Sequence, residues 1–89
     1  MAWRIELSAL GQKNLRKLDP ESRARILDFL DKRLAILENP RSLGAALTGS
    51  RLGTFWKYRI GDYRVIADIQ DDVMRILVVR IGNRREVYR

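Results

Sequence analysis

The residues able to do chemistry gather in the stretch TFWKYRIGDYRVIADIQDDVMRILVVRIGNRREVYR, from Thr54 to Arg89. Lys57, Arg59, Arg64, Arg80, Arg84 and Arg85 stand there among strand-forming residues, with tyrosines at 58, 63 and 88. Side chains in a strand alternate in direction, so cations that alternate with apolar residues share one face of a sheet. Such a face suits a phosphate backbone, and tyrosines can stack on bases. In 54–60, Phe55, Lys57 and Arg59 point one way; Trp56, Tyr58 and Ile60 point the other. The apolar trio fits a core, which leaves Lys57 and Arg59 on the open face. In the next strand Tyr63, Val65, Ala67 and Ile69 form the apolar set. Arg64 then alternates to the face of Lys57 and Arg59. Arg84 follows a third strand, and Tyr88 lies near the end of the sequence. Together these residues predict a cationic site. The plainer reading of Lys57 and Arg59 is a solvated strand face.

Composition narrows the chemistry. The sequence has no cysteine and no histidine. That removes disulfides, thiolate nucleophiles, the usual zinc ligands and the side chain most used for proton transfer near neutral pH. Catalysis must use Lys, Arg, Tyr, Asp or Glu. No P-loop, GxGxxG or metal-ligand cluster is present, so neither metal nor cofactor is expected. The net charge is +7, which makes a polyanion the natural partner. Lys13, Arg16, Lys17, Arg23, Arg25, Lys32 and Arg33 read as a solvated helix face that can also touch RNA phosphates.

The elements that position these residues fit one domain spanning 1–89. So small a core gives modest stability, and a permanent partner would help. No apolar run approaches the ~18 residues needed to span a bilayer. The start, MAWRIELSAL, interleaves charges with apolar residues and is not a secretory signal, so a cytoplasmic location is expected.

Residues 2–7 alternate as a short strand with Trp3, Ile5 and Leu7 inward. Ser8 caps a helix over 9–18 striped by Leu10, Leu15 and Leu18. Asp19-Pro20 starts a second helix with Ile26, Phe29, Leu30, Leu34 and Leu37 on one face, ended by Asn39-Pro40. Residues 40–53 read as a loop anchored by Leu43 and Leu47. Three strands follow, at about 54–60, 63–70 and 73–81, with Gly61-Asp62 as a tight hairpin turn. Gly82-Asn83 breaks the last strand, and 84–89 form a basic tail. The order strand-helix-helix-strand-strand-strand predicts an α+β domain, two helices on one face of a mostly antiparallel sheet.

The Lys-x-Arg strand, the GDYRV block and the IGNRREVY ending together resemble the RelE/ParE superfamily of bacterial toxin–antitoxin toxins, over nearly the whole chain. The resemblance implies the RelE-like fold and, for RelE-type members, cleavage of messenger RNA in the ribosomal A site. The implied reaction is attack of a ribose 2′-OH on the adjacent phosphate, without metal. On the same resemblance, Lys57 matches the first strand lysine, the candidate general base, activated by neighbouring cations. Arg59 stands where many members carry a second lysine; a guanidinium stays protonated, so it clamps phosphate. Arg64 matches a phosphate-stabilising arginine. Arg84 matches the arginine that stabilises charge or protonates the leaving group, and Tyr88 the tyrosine that orients substrate. Arg51 and Arg85 are further candidates for RNA-backbone contacts. The implied partners are an acidic antitoxin, the ribosome and its message, and operator DNA only through the antitoxin. Two alternatives stay open: a ParE-type toxin acting on DNA gyrase, and a non-catalytic basic module in an antitoxin–operator complex.

Overall fold

The computed structural model describes residues 2–47, 55–83 and Arg85. Strand β1 is Arg4–Leu7. Helix α1, Ala9–Arg16, begins at Ser8, whose hydroxyl accepts from the Gly11 N–H at 3.0 Å. Helix α2, Pro20–Asp28, begins at Asp19, whose carboxylate accepts from the Ser22 N–H at 3.1 Å. Those hydrogen bonds from Ser22 hold the Asp19 carboxyl below its ordinary range. Pro20 occupies the first turn, where a missing N–H costs nothing.

Beyond Asp28 the helix widens into a π-helical segment, Phe29–Leu34, and the Ala35 N–H donates to Leu30 O at 3.0 Å. The wider turn suits a stripe that recurs every four residues: Ile26, Leu30 and Leu34 are all fully buried. Each such side chain contributes roughly 1.5–3 kcal/mol by leaving water. The second helix is therefore shorter and less regular than its sequence suggests. The first also ends early, at Arg16, and Leu10 is 48% exposed rather than part of the inward stripe. Gly11 is the residue that faces the sheet there, because a Cβ would stand 2.7 Å from Val78 O.

Among the described residues, five strands form one sheet in the order β1-β5-β4-β3-β2. Strand β2 is Ala45–Ala46, β3 Trp56–Ile60, β4 Tyr63–Gln70 and β5 Arg75–Asn83. Only β1 with β5 is parallel; the other pairs are antiparallel. Gly61, with φ +59°, and Asp62 make the tight β3–β4 turn. The expected loop from residue 40 thus contains a 3-10 turn, Pro40–Ser42, and an additional edge strand. The last strand starts later and ends later than expected. Asp71–Val73 form a 3-10 turn, Met74 has φ +50°, and Gly82 and Asn83 stay paired with Arg64 and Tyr63.

The helices cover one face of the sheet. Trp3, Ile26, Leu30, Leu34, Tyr58, Val65, Ala67, Ile69, Ile76, Val78 and Ile81 form the core there, joined by Trp56, Ile60, Tyr63 and Leu43. The inward trio of β3 is as alternation predicts. A smaller cluster of Leu47, Phe55, Ile66 and Val79 lies apart from this core. Among the described residues, no helix is long and apolar enough to cross a membrane.

Tyr58 ties sheet to loop: its hydroxyl donates to Pro40 O at 2.7 Å in a buried bond. Burial pushes the phenol well above its ordinary pKa, so it stays a neutral donor. Its ring meets Phe29 at 5.8 Å. Tyr58→Phe keeps the ring and orphans the Pro40 carbonyl, an expected loss of about 1–3 kcal/mol by chemical denaturation. Next to Pro40, the Arg41 guanidinium makes two 2.9 Å bonds to Asp71 and holds its carboxyl below the usual range. A depressed folded pKa means this contact helps above the ordinary carboxylate range near pH 4 and fades as pH falls through the lower value. Both groups are exposed, so the contribution is small.

Candidate nucleic-acid interface

The face of the sheet away from the helices carries the cations. Pairing puts Arg59 directly opposite Arg64, and Arg64 opposite Gly82. The next row outward runs Ala45, Lys57, Ile66, Arg80 across four strands. Neighbouring strands lie about 4.8 Å apart, and alternate residues of one strand about 6.6 Å apart. Lys57, Arg59, Arg64 and Arg80 therefore occupy two adjacent rows of one face. Among the described residues, no acid stands in either row. The acids of this face, Glu6 and Asp68, pair across Leu77 further along the sheet. There Glu6 meets Arg75 at 3.3 Å and Arg4 at 3.5 Å.

Like charges directly opposite each other on a sheet destabilise it. The Arg59–Arg64 pair thus opposes folding, and an anion placed over it relieves the repulsion. Arg64 is anchored from behind: its Nη1 donates to Gly61 O at 3.2 Å and Tyr63 O at 3.0 Å. It meets the turn carbonyls, while Asp68 accepts from Gln70 instead. Arg59 is exposed, and Lys57 is half-buried.

A groove of about 580 Å³ runs over this face, lined by Gly44, Ala45, Lys57, Tyr58, Arg59, Arg64 and Arg85. Tyr58, 1% exposed with its hydroxyl on Pro40, is directed to the core. The segment before β2 makes one wall. Gly44 has φ +74°, and a Cβ there would lie 2.3 Å from Lys57 O. The Trp56 indole N–H donates to Leu43 O at 2.7 Å and holds that wall against β3. The backbone N–H of Arg85 donates to the Asn83 side chain at 3.0 Å.

Of the predicted site residues, Lys57, Arg59, Arg64 and Arg85 come together around one groove. Arg51, Arg84 and Tyr88 lie outside the described residues. Gly44 and Ala45 belong to the groove although their stretch reads as loop. The only sequence signal for them was a glycine between the anchors Leu43 and Leu47.

Arg80 reaches the open face through an irregularity. Ile76 and Val78 of β5 are fully buried, so strict alternation would turn residue 80 inward. Pairing instead jumps from Ala67–Val78 to Ile66–Arg80. This bulge turns Arg80 outward and Ile81 inward, the latter 3% exposed. Helix α1 fixes the bulge. Ser8 N–H donates to Val78 O at 2.9 Å and Ser8 Oγ to Val79 O at 3.0 Å, while the Asn14 side chain accepts from Ile81 N–H at 3.0 Å. The cap residue Ser8 and the helix residue Asn14 thus take over along β5 where β1 ends.

Two helices on one face of a mostly antiparallel sheet are the fold of the RelE-like toxins. The chain belongs to the family described as ParE toxin of type II toxin–antitoxin system, parDE, whose family model matches residues 5–88. Among curated proteins it is 27% identical to toxin RelG of Mycobacterium tuberculosis, over 100% of this chain and 99% of that one. It is 30% identical to toxin RelE of the same organism, over 98% of this chain and 87% of the relative. Among solved structures it is similar to a chain of the RelBE2 toxin–antitoxin complex of M. tuberculosis, with TM-score 0.85 and 22% identity over 97% of this chain and 95% of the other. A chain of the archaeal RelE-RelB complex of Pyrococcus horikoshii matches at TM-score 0.72 and 25% identity, over 98% and 100%. The chain is thus a toxin of the type II toxin–antitoxin class.

Proposed function

We propose that this toxin is a metal-independent, ribosome-dependent endoribonuclease that cuts messenger RNA in the A site and is silenced by an antitoxin. The observation that carries this reading is the like-charged Arg59–Arg64 pair beside Lys57, in a groove of about 580 Å³. Cutting RNA by 2′-OH attack needs a base for the hydroxyl, cations for the phosphorane charge and an acid for the leaving oxygen. Lys57 takes the role of base; Arg59 and Arg64 hold the phosphate. Arg84 serves charge stabilisation or leaving-group protonation, and Tyr88 orients the substrate. Arg51 and Arg85 contact the flanking backbone. The bond broken is P–O5′ and the bond formed is P–O2′, leaving a 2′,3′-cyclic phosphate and a 5′-OH. Positioned cations are often the largest single contribution to such a step. The RelE and RelG names of the relatives favour this reading, and the solved toxin–antitoxin complexes favour an antitoxin partner.

The decisive experiment maps 5′ ends of cellular messages after brief expression. Cuts in phase with codons are expected. A second reading, a ParE-type toxin acting on DNA gyrase, is favoured by the family model's own description; intact messages with DNA damage would establish it instead. Binding should also be salt-sensitive. The four arginines assigned to phosphates, Arg59, Arg64, Arg51 and Arg85, at about −0.7 each on single strands, give a log–log slope of roughly −3. Affinity for message-programmed ribosomes that ignores salt would overturn the phosphate-reading groove.

A further inference from the structure

We propose that Arg80 is a positioning residue that holds a backbone phosphate of the bound RNA strand, one nucleotide step away from the phosphate gripped by Arg59 and Arg64. This rests on the ribonuclease reading above. Three observations carry it.

The first is phase. The bulge at Val78–Arg80 is what turns this guanidinium out of the core and onto the cationic face. A bulge disrupts the ladder locally, and here three hydrogen bonds from Ser8 and Asn14 maintain it. Without the bulge, strict alternation from Ile76 and Val78 would turn this cation into the core.

The second is position. Arg80 lies diagonal to Arg64 across β4 and β5, because Arg64 pairs with Gly82, two residues on. Diagonal neighbours stand about 7–8 Å apart and lie within reach of long side chains. Gly82 has no side chain, so a lane stays open between the two arginines. The third is the ground beneath. Between Lys57 and Arg80 the row holds Ile66, 4% exposed and packed with Leu47, Phe55 and Val79. Phe55 and Val79 stay partly exposed over it, and apolar surface flanked by cations suits a strand whose phosphates meet the cations and whose sugars and bases cross between them.

The track therefore runs from β3 over β4 to β5. A phosphate held at β5 does no chemistry itself; it tethers the strand at a distance from the bond that breaks. Loss of such a contact weakens ground state and transition state alike, so it raises KM and spares kcat.

The test compares parent, Arg80→Gln and Arg80→Lys on bacterial ribosomes carrying a defined message. Binding is read with a 2′-deoxy nucleotide at the cleavage position, and cleavage with the all-ribose message. Thermal unfolding of each variant accompanies both. Arg80→Gln should raise KM roughly tenfold, the size of one charge-assisted hydrogen bond. It should leave kcat unchanged and make the salt slope shallower by about 0.7. Arg80→Lys should keep the parent slope. A parent that cuts, beside an Arg80→Gln variant with the parent's slope and KM, overturns the role of Arg80 and leaves the ribonuclease reading standing. A fall in kcat alone, or a slope that lysine fails to restore, also overturns it. A parent that binds in a salt-dependent way without cutting sinks the ribonuclease reading, and a shallower slope for Arg80→Gln then still supports Arg80 as a phosphate contact. A parent that neither binds nor cuts overturns both.

Discussion

Replacing Arg64 with alanine is expected to slow message cleavage by roughly a hundred- to a thousandfold, the usual cost of removing one group that stabilises developing charge. The fold should survive. Arg64 is only half-buried, and its two hydrogen bonds go to carbonyls of the β3–β4 turn. Removing it also ends the like-charge contact with Arg59, which offsets part of the loss. Both turn contacts use Nη1, which leaves the other donors of the guanidinium fork for an anion. Lysine at 64 restores the charge but not the fork, so its rate should fall between alanine and parent. Single-turnover cleavage on ribosomes, with thermal unfolding as control, checks this. A parent-like rate for Arg64→Ala would remove it from the catalytic set. Arg84→Ala tests the neighbouring role in the same assay, with the same size of effect expected.

Gly44→Ala should be the most damaging small substitution in the groove wall. With φ +74°, any other L-residue there is strained by about 1–2 kcal/mol. The added Cβ would also stand 2.3 Å from Lys57 O, 2.9 Å from the Trp56 indole nitrogen and 3.0 Å from the Tyr58 ring. The first of these is backbone and cannot swing aside. Overpacking of this kind adds typically 1–3 kcal/mol. A total of about 2–5 kcal/mol is a large share of what a domain this small commands, and the melting temperature should fall by at least about 10 °C. Activity should fall as well, because the strand that yields is the one carrying Lys57. Gly61→Ala is the control. It has φ +59°, but its nearest neighbour is the far end of the Arg25 side chain at 3.3 Å. It should pay only the backbone strain and leave Lys57 in place. Equal losses at both positions would show that the contact with Lys57 O is unimportant.

What the sequence disclosed follows the range of the interactions involved. The turn at Gly61-Asp62 and the inward trio Trp56, Tyr58 and Ile60 are local features, so spacing alone placed Lys57, Arg59 and Arg64 on one face. Strand β2 is two alanines whose only claim to be a strand is their pairing with Trp56 and Lys57. That is tertiary information, and composition does not carry it. The widened turn at Phe29–Leu34 likewise follows from how Leu30 and Leu34 meet the sheet. Arg80 was visible as a cation, but its direction depends on a bulge held by Ser8, 71 residues away from Val79. Gly82-Asn83 reads as a breaker by residue type, yet pairing with Tyr63 and Arg64 keeps both in the strand.

The sheet order has a consequence for how the molecule is made. Strand β1 is synthesised first, and its partner within the sheet is β5, whose pairing residues begin at Arg75. The ribosome therefore delivers β1 long before anything exists for it to pair with. Helix α1 is in the same position, since its Ser8 and Asn14 bind Val78, Val79 and Ile81. A nascent chain can close the β3–β4 hairpin early, but contacts spanning so much sequence form slowly and only once both ends are free. The cationic face is complete only when β5 has cleared the exit tunnel. The topology thus works as a timer, and a half-made chain carries cations without the sheet that aligns them.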